Sequence, residues 1–278
     1  MFLDSAALYE TAGCVVGVPL AIQCAGQCAF EQLDFLPARR LLNDALMRHR
    51  RLGNVHEAAT ALRVLGQLAL NEGRLNEARA QSAESLAMFH ALHDKNCGAQ
   101  SASVHATVLY AMGDAAAALP HAQSAAEAFR KLGFSHSLAS TLQIVGRVHA
   151  ALGDVEAAQG ALFDALREQQ RANRDTPLPG LFEAIAGMYP GAPAAPVLLG
   201  SAETLRAQWN LPVFPAEREE HERWHDAVRA KHAGDEFDHA VAAGRALTRG
   251  QAIESALALL QDVGSKAEGE RPAASKRP

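Results

Sequence analysis

Of 278 residues, 49% are hydrophobic but only 5% aromatic, and the formal net charge is -5, with a pI near 6.2. That balance argues against a nucleic-acid surface, which needs clustered basic side chains, and no apolar run reaches the roughly 18 residues that cross a bilayer. The first residues lack the charged-then-apolar layout of a secretory leader, so a soluble, cytoplasmic protein without direct nucleic-acid or membrane contacts is expected.

Taken in chain order, residues 2–12 (FLDSAALYETA) fall in the phase of a second repeat helix, because Ala12-Gly13 matches Leu52-Gly53 one period later. The sequence thus opens in mid-repeat, as a fragment of a longer protein or the product of a truncated gene would. Four units of 40 residues follow in register at 19–58, 59–98, 99–138 and 139–178. The eighth position of each unit is Gly26, Gly66, Ala106 or Gly146, and the twentieth is Ala38, Ala78, Ala118 or Ala158. The fifteenth holds Leu33, Gly73, Gly113 and Gly153, and the twenty-eighth Leu46, Leu86, Ala126 and Leu166. Self-similarity at a fixed period of this length marks stacked helical units, each burying its core only against its neighbours.

A small residue on the first helix opposite one on the second lets two backbones approach closely. Leu65, Leu68 and Leu86 close such a pair at helical spacing. Asp34, Asp114 and Asp154 stand where the second helix needs an N-cap oxygen. Pro120 lies beyond the first turn of its helix and predicts a local bend. These positions resemble the tetratricopeptide repeat, with the aromatic usual at the fourth position replaced by Ile22, Leu62, Ala102 and Leu142. The expected fold is all-α: a right-handed superhelical solenoid of 40-residue tetratricopeptide-like helical hairpins with a helical C-terminal cap.

A fifth unit is irregular. Phe182, Ile185, Ala186 and Tyr189 keep the first-helix positions, PGAPAAP (190–196) breaks the chain, and a second helix starts near Pro196. Beyond Asn210 the period ends, and the loop NLPVFP leads to a charged helix (216–232), a shorter one (235–245) and a last one capped by Thr248. The expected division is a repeat solenoid over 1–210, a helical cap over 211–264 and a polar, disordered tail over 265–278.

Leu198, Leu199, Gly200, Ala202, Glu203, Pro212, Gly244, Arg245, Ala246, Leu247, Thr248, Ala252 and Ile253 resemble the closing segment of large bacterial signalling ATPases of the STAND class. LuxR-type and SARP-type transcriptional regulators share that segment. The resemblance implies that the repeats are such a protein's sensor arm. There is no G-x-x-x-x-G-K-S/T phosphate loop and no helix-turn-helix after the cap, so only the regulatory arm would lie here.

In tetratricopeptide proteins, four positions of each first helix (the second, fifth, ninth and twelfth in the present count) line a concave groove. Here they give Gln23, Gln27 and Phe30, then Arg63, Gln67 and Leu70, then Ser103, Thr107 and Tyr110, then Gln143 and Arg147. This polar strip suits an extended protein segment, a peptide or a small polar effector, with arginine favouring a carboxylate or other anion. The same residues also read as ordinary solvent-facing helix positions.

The rival chemistry is His221-Glu222-Arg223-Trp224-His225, an H-E-x-x-H pattern on a predicted helix. Two histidines four apart share a face and could hold zinc, with Glu222 as general base. The third ligand is unspecified, with His239, Glu236 and Glu254 available. The stretch also fits a charged, solvated cap helix, and that reading is preferred, with no metal or other cofactor and no catalytic residue assigned. Cys24 and Cys28 share a helix face, but Val64, Val104, Ile144 and Leu68, Val108, Val148 occupy their positions in later units, so a core role is expected. His105 and His149 likewise replace apolar residues of other units. The function expected is a non-enzymatic interaction or effector-sensing scaffold. A zinc metallopeptidase and a self-associating structural module, forming a homo-oligomer, are the alternatives.

Overall fold

Every twentieth residue from Gly13 to Gly153 has a positive φ, and this spacing sets the architecture. Gly13, Gly53, Gly73, Gly113, Gly133 and Gly153 adopt φ of 69 to 82°, while Leu33 and His93 take the same left-handed turn at 61° and 55°. After most of these residues the next amide bonds five residues back: Asp34 to Ala29, Asn54 to His49, Arg74 to Ala69, Asp94 to Phe89, Asp114 to Leu109 and Asp154 to His149. This is the Schellman closure of a helix C-terminus, and the residue that makes the bond also begins the next helix.

The structure is a computed structural model that describes residues 2–172 and 178–269. Among them are fourteen α-helices and no strand. They are α1 (Phe2–Thr11), α2 (Gly17–Glu31), α3 (Phe35–Leu52), α4 (Val55–Asn71), α5 (Leu75–Ala91), α6 (Lys95–Ala111), α7 (Ala115–Leu132), α8 (Ser135–Ala151) and α9 (Val155–Ala172). Then come α10 (Leu178–Met188), α11 (Ala194–Gln208), α12 (Arg218–Arg229), α13 (Gly234–Arg245) and α14 (Arg249–Gly269). None is long and apolar enough to cross a membrane. The backbone of α14 enters the tail set apart at residue 265, and 270–278 lie outside the described residues.

The chain divides into two compact units, residues 1–133 with Phe214–Ala216, and residues 134–213 with 217–278. In unit 1, α1 packs on α2, the hairpins α2–α3, α4–α5 and α6–α7 stack in order, and the first helices α2, α4 and α6 lie side by side. In unit 2 the hairpin α8–α9 is followed by α10 and α11. There α12 packs on α10 and α11, α13 on α11, and α14 on α9 and α11. The all-α hairpin repeat expected from the period is therefore what the chain adopts.

The small-residue positions face each other as the pattern requires. A Cβ on Gly66 would stand 3.2 Å from the Ser82 amide and 3.4 Å from the Ala78 carbonyl, and one on Gly146 would stand 3.2 Å from the Ala158 carbonyl. Ala38, Ala78, Ala118 and Ala158 are fully buried. Asp114 and Asp154 accept from the amides of Ala117 and Ala157 at 3.0 and 3.1 Å. Asp34 holds the same place but makes no side-chain cap bond. The amide it would accept belongs to Pro37, which has no N–H. Asp94 caps α6 through Cys97 N at 2.9 Å, a third aspartate cap, which the sequence pattern missed. Helix α7 runs unbroken through Pro120. Cys24 and Cys28 are half-buried free thiols rather than full core residues.

Candidate functional site

In unit 1 the strip residues stand on three adjacent first helices. Gln23 is buried and its Nε2 donates to Glu57 at 3.0 Å. The Gln67 amide donates to Asn71 at 3.1 Å, and Thr107 Oγ1 donates to the Ser103 carbonyl at 2.9 Å. Gln27 and Tyr110 are partly exposed. At one end of the strip, Phe30 lies 6.2 Å from Phe35, whose ring lies 6.1 Å from Phe214. Ala216 packs beside Leu70, which is buried and not available as a contact. The chain's own Phe214–Ala216 segment thus rests against that end, and the middle of the strip belongs to Arg63.

Arg63 is the electrostatic anomaly. Its guanidinium takes part in no hydrogen bond or ion pair among the described residues, and its buried Nε lacks a partner. Burial pushes its pKa below the ordinary value, opposed only by the Cys97 thiol. That thiol cannot neutralise it, because burial raises the Cys97 pKa above its own ordinary 9.0 and keeps the group protonated. A charge removed from water with no counter-charge is costly.

In unit 2 the strip has a different fate. Gln143 and Arg147 are each only 8% exposed. Arg147 pairs with Glu220, and its guanidinium lies 5.5 Å from the centre of the Trp224 ring. One period beyond Gln143 the fifth position is Glu183, and one period beyond Arg147 the ninth is Gly187, against which Trp224 packs. Helix α12 therefore lies along the strip of its own unit and occupies the groove positions with its own side chains. Arg147 and Gln143 are not open to a ligand in this arrangement, which corrects their expected role as free groove residues. A Cβ at Gly187 would collide with the indole, so the missing side chain makes the seat for Trp224.

The H-E-x-x-H residues also differ from expectation. His221 and His225 are half-buried rather than solvated, while Glu222 is exposed. Among the described residues the group that joins the histidines is not His239, Glu236 or Glu254 but Glu183 of α10, only 2% exposed. Glu183 accepts two bonds from Arg206, at 2.7 and 2.8 Å, and lies 3.4 Å from His221 Nδ1. Burial works to raise the Glu183 pKa, yet the hydrogen bonds and charges of Arg206 and His221 outweigh it and bring it down to about 2. Counting the 40-residue period once more would have found Glu183, but the broken fifth unit hid it. His56, Asp94 and Cys97 form a second cluster, in unit 1.

The closing motif proves to be packing. A Cβ on Gly200 would run into the Val241 carbonyl, and one on Gly244 into the Val197 carbonyl, so α11 and α13 touch backbone to backbone. Ser201 Oγ donates to the Gly244 carbonyl at 3.0 Å and Arg245 pairs with Glu203 at 2.8 Å. Thr248 and Gln251 form a reciprocal capping box at the start of α14.

No family model matches the sequence, and no curated protein matches it. Solved structures do match in fold. The crystal structure of BtubC (BKLC) from P. vanneervenii is 18% identical, with a TM-score of 0.54, over 84% of this chain and 90% of that one. A Rap protein crystallised in complex with competence and sporulation factor is 17% identical, with a TM-score of 0.59, over 91% of this chain and 76% of that one. At such identities the likeness establishes the helical fold alone.

Proposed function

We propose that the chain is a non-enzymatic binding scaffold whose ligand lies on the first-helix strip of unit 1. The ligand is an extended peptide or a small polar effector, and its carboxylate or other anionic group is taken by Arg63. The observation that carries this reading is the half-buried Arg63 side chain, whose buried Nε has no partner and which meets no counter-ion among the described residues. The free protein carries that cost, whereas a bound carboxylate would relieve it through a bidentate, charge-assisted pair. Gln27, Gln67, Ser103, Thr107 and Tyr110 supply neighbouring polar groups on the same helices. Phe30, already packed on Phe35, is a preformed apolar edge. The Rap protein supports the reading in kind, since a chain of similar fold was crystallised in complex with competence and sporulation factor. The closing segment's resemblance supports the finer reading of a regulatory arm of a bacterial signalling ATPase or transcriptional regulator.

The test is a thermal-shift screen of acidic peptides and small carboxylates against wild type, Arg63→Met and Arg147→Met. Ligands that stabilise wild type should fail on Arg63→Met and still act on Arg147→Met. A ligand that stabilises all three proteins equally would remove the strip of unit 1 from consideration.

A further inference from the structure

We propose that His221, His225 and Glu183 form a divalent transition-metal site that fastens α12 to α10. The three offer one imidazole nitrogen each and a carboxylate oxygen, all within 4.8 Å of one another. His225 Nε2 is buried without a hydrogen-bond partner, and buried His221 Nδ1 faces the Glu183 carboxylate at 3.4 Å, with the two ring centres 4.2 Å apart. Ligand atoms about 2.1 Å from a tetrahedral zinc are separated by about 3.4 Å, and the Glu183 oxygen already stands 3.4 Å from His221 Nδ1. Spacing of four on one helix aligns the histidines, and the partner helix contributes the acid.

Two histidines and one carboxylate suit zinc, with a fourth position left for water or another donor. Glu183 is the most buried of the three. Arg206 does not displace the metal in this arrangement. It grips the carboxylate through both oxygens and leaves the face toward His221 as the place for a cation, an orienting role of the kind that partners of ligating carboxylates play. The further charges near the cluster are Glu203 against His225, with Glu217 and Arg147 against Arg206. The two carboxylates offset part of the positive charge that a dication would add. Glu222 is exposed and outside the cluster, and the role assigned to the metal is to hold the cap helix in the strip. This goes beyond the binding reading for unit 1 and does not depend on it.

The experiment uses tag-free full-length protein, stripped with chelator and titrated with zinc alone against a chromogenic indicator. Cobalt(II) absorption gives an independent signature of the ligand set. Wild type should bind one tight equivalent at this site and melt at a higher temperature with zinc than with chelator. His225→Ala and the volume-keeping His225→Gln should both lose that equivalent and the thermal shift, with circular dichroism confirming that they fold. His239→Ala, outside the cluster, and Cys97→Ser, in the other cluster, should keep both. The proposal is overturned if the His225 variants bind as wild type does. It is equally overturned if the tight equivalent disappears with Cys97→Ser or if wild type binds only weakly and without fixed stoichiometry.

Discussion

Single residues carry most of what distinguishes one repeat from the next. Leu33 stands in a left-handed turn that glycine holds in the next three units, and a side chain there crowds the following carbonyl. Leu33→Gly should therefore stabilise unit 1 by about 1 kcal/mol, read as a shift in the urea midpoint at unchanged slope. No gain would mean that the half-buried leucine returns as much in packing as its backbone costs. Arg63 shows the opposite balance. Arg63→Met keeps the aliphatic stem and removes an uncompensated charge, so it should raise stability by about 1 kcal/mol while abolishing ligand response. A drop in stability would show that the guanidinium is satisfied and would undercut the anion reading. The position of Arg63 on the strip was legible from the period. Its isolation was not, because the absence of a carboxylate depends on which side chains other helices bring near.

At the scale of elements, the hairpins are held by backbone approach. A Cβ on Gly146 would lie 2.6 Å from Leu162 Cγ, so nothing larger fits without displacing α9. Gly146→Leu should destabilise unit 2 by roughly 1–3 kcal/mol, whereas Glu156→Leu, on the exposed start of α9, should be nearly neutral. Equal losses of melting temperature would show that the eighth position does not face its partner helix. Gly200→Ala is the sterner case, since the added methyl meets a backbone carbonyl of α13 and not a movable side chain. The loss should reach or exceed about 3 kcal/mol. The helices, their order and the capping of α14 were readable from periodicity and cap residues. The seating of α12 along the strip of unit 2 was not, since charged residues such as Glu220 and His221 look like a solvated face until Arg147 and Glu183 are found beneath them.

For the molecule as a whole, the two units should respond to acid in different windows. In unit 1, burial, with the charges of His121 and Arg79, lowers the His105 pKa from 6.5 to about 4, and its Nδ1 meets Ser82 Oγ at 2.9 Å. The unfolded chain then binds the proton more readily. Stability is full above pH 6.5 and falls as pH drops toward 4. His121, which burial and His90 also depress, adds to the same trend. In unit 2 the Glu183 pKa moves from 4.5 down to about 2, so its contribution is full above pH 4.5 and is lost between 4.5 and 2. Urea midpoints measured across pH should fall in both windows. His105→Val, the residue that unit 139–178 carries at that position, should flatten only the upper window, and Glu183→Gln only the lower. A single transition unaffected by either variant would show that these groups are not what titrates.

Local regularities were determined by the sequence alone: the 40-residue period, the small residues where helices touch, the glycine turns and the caps at Asp114, Asp154 and Thr248. Each rests on neighbours a few residues apart or on a pattern that repeats, so one chain displays its own controls. Tertiary structure decided which strip residues are covered and which meet charges. It buried Arg147 under α12, left Arg63 without a counter-charge among the described residues and brought Glu183 to the two histidines across a break in the period. Such pairings join residues tens of positions apart through packing, and burial turns an ordinary charged residue into one that must find a partner.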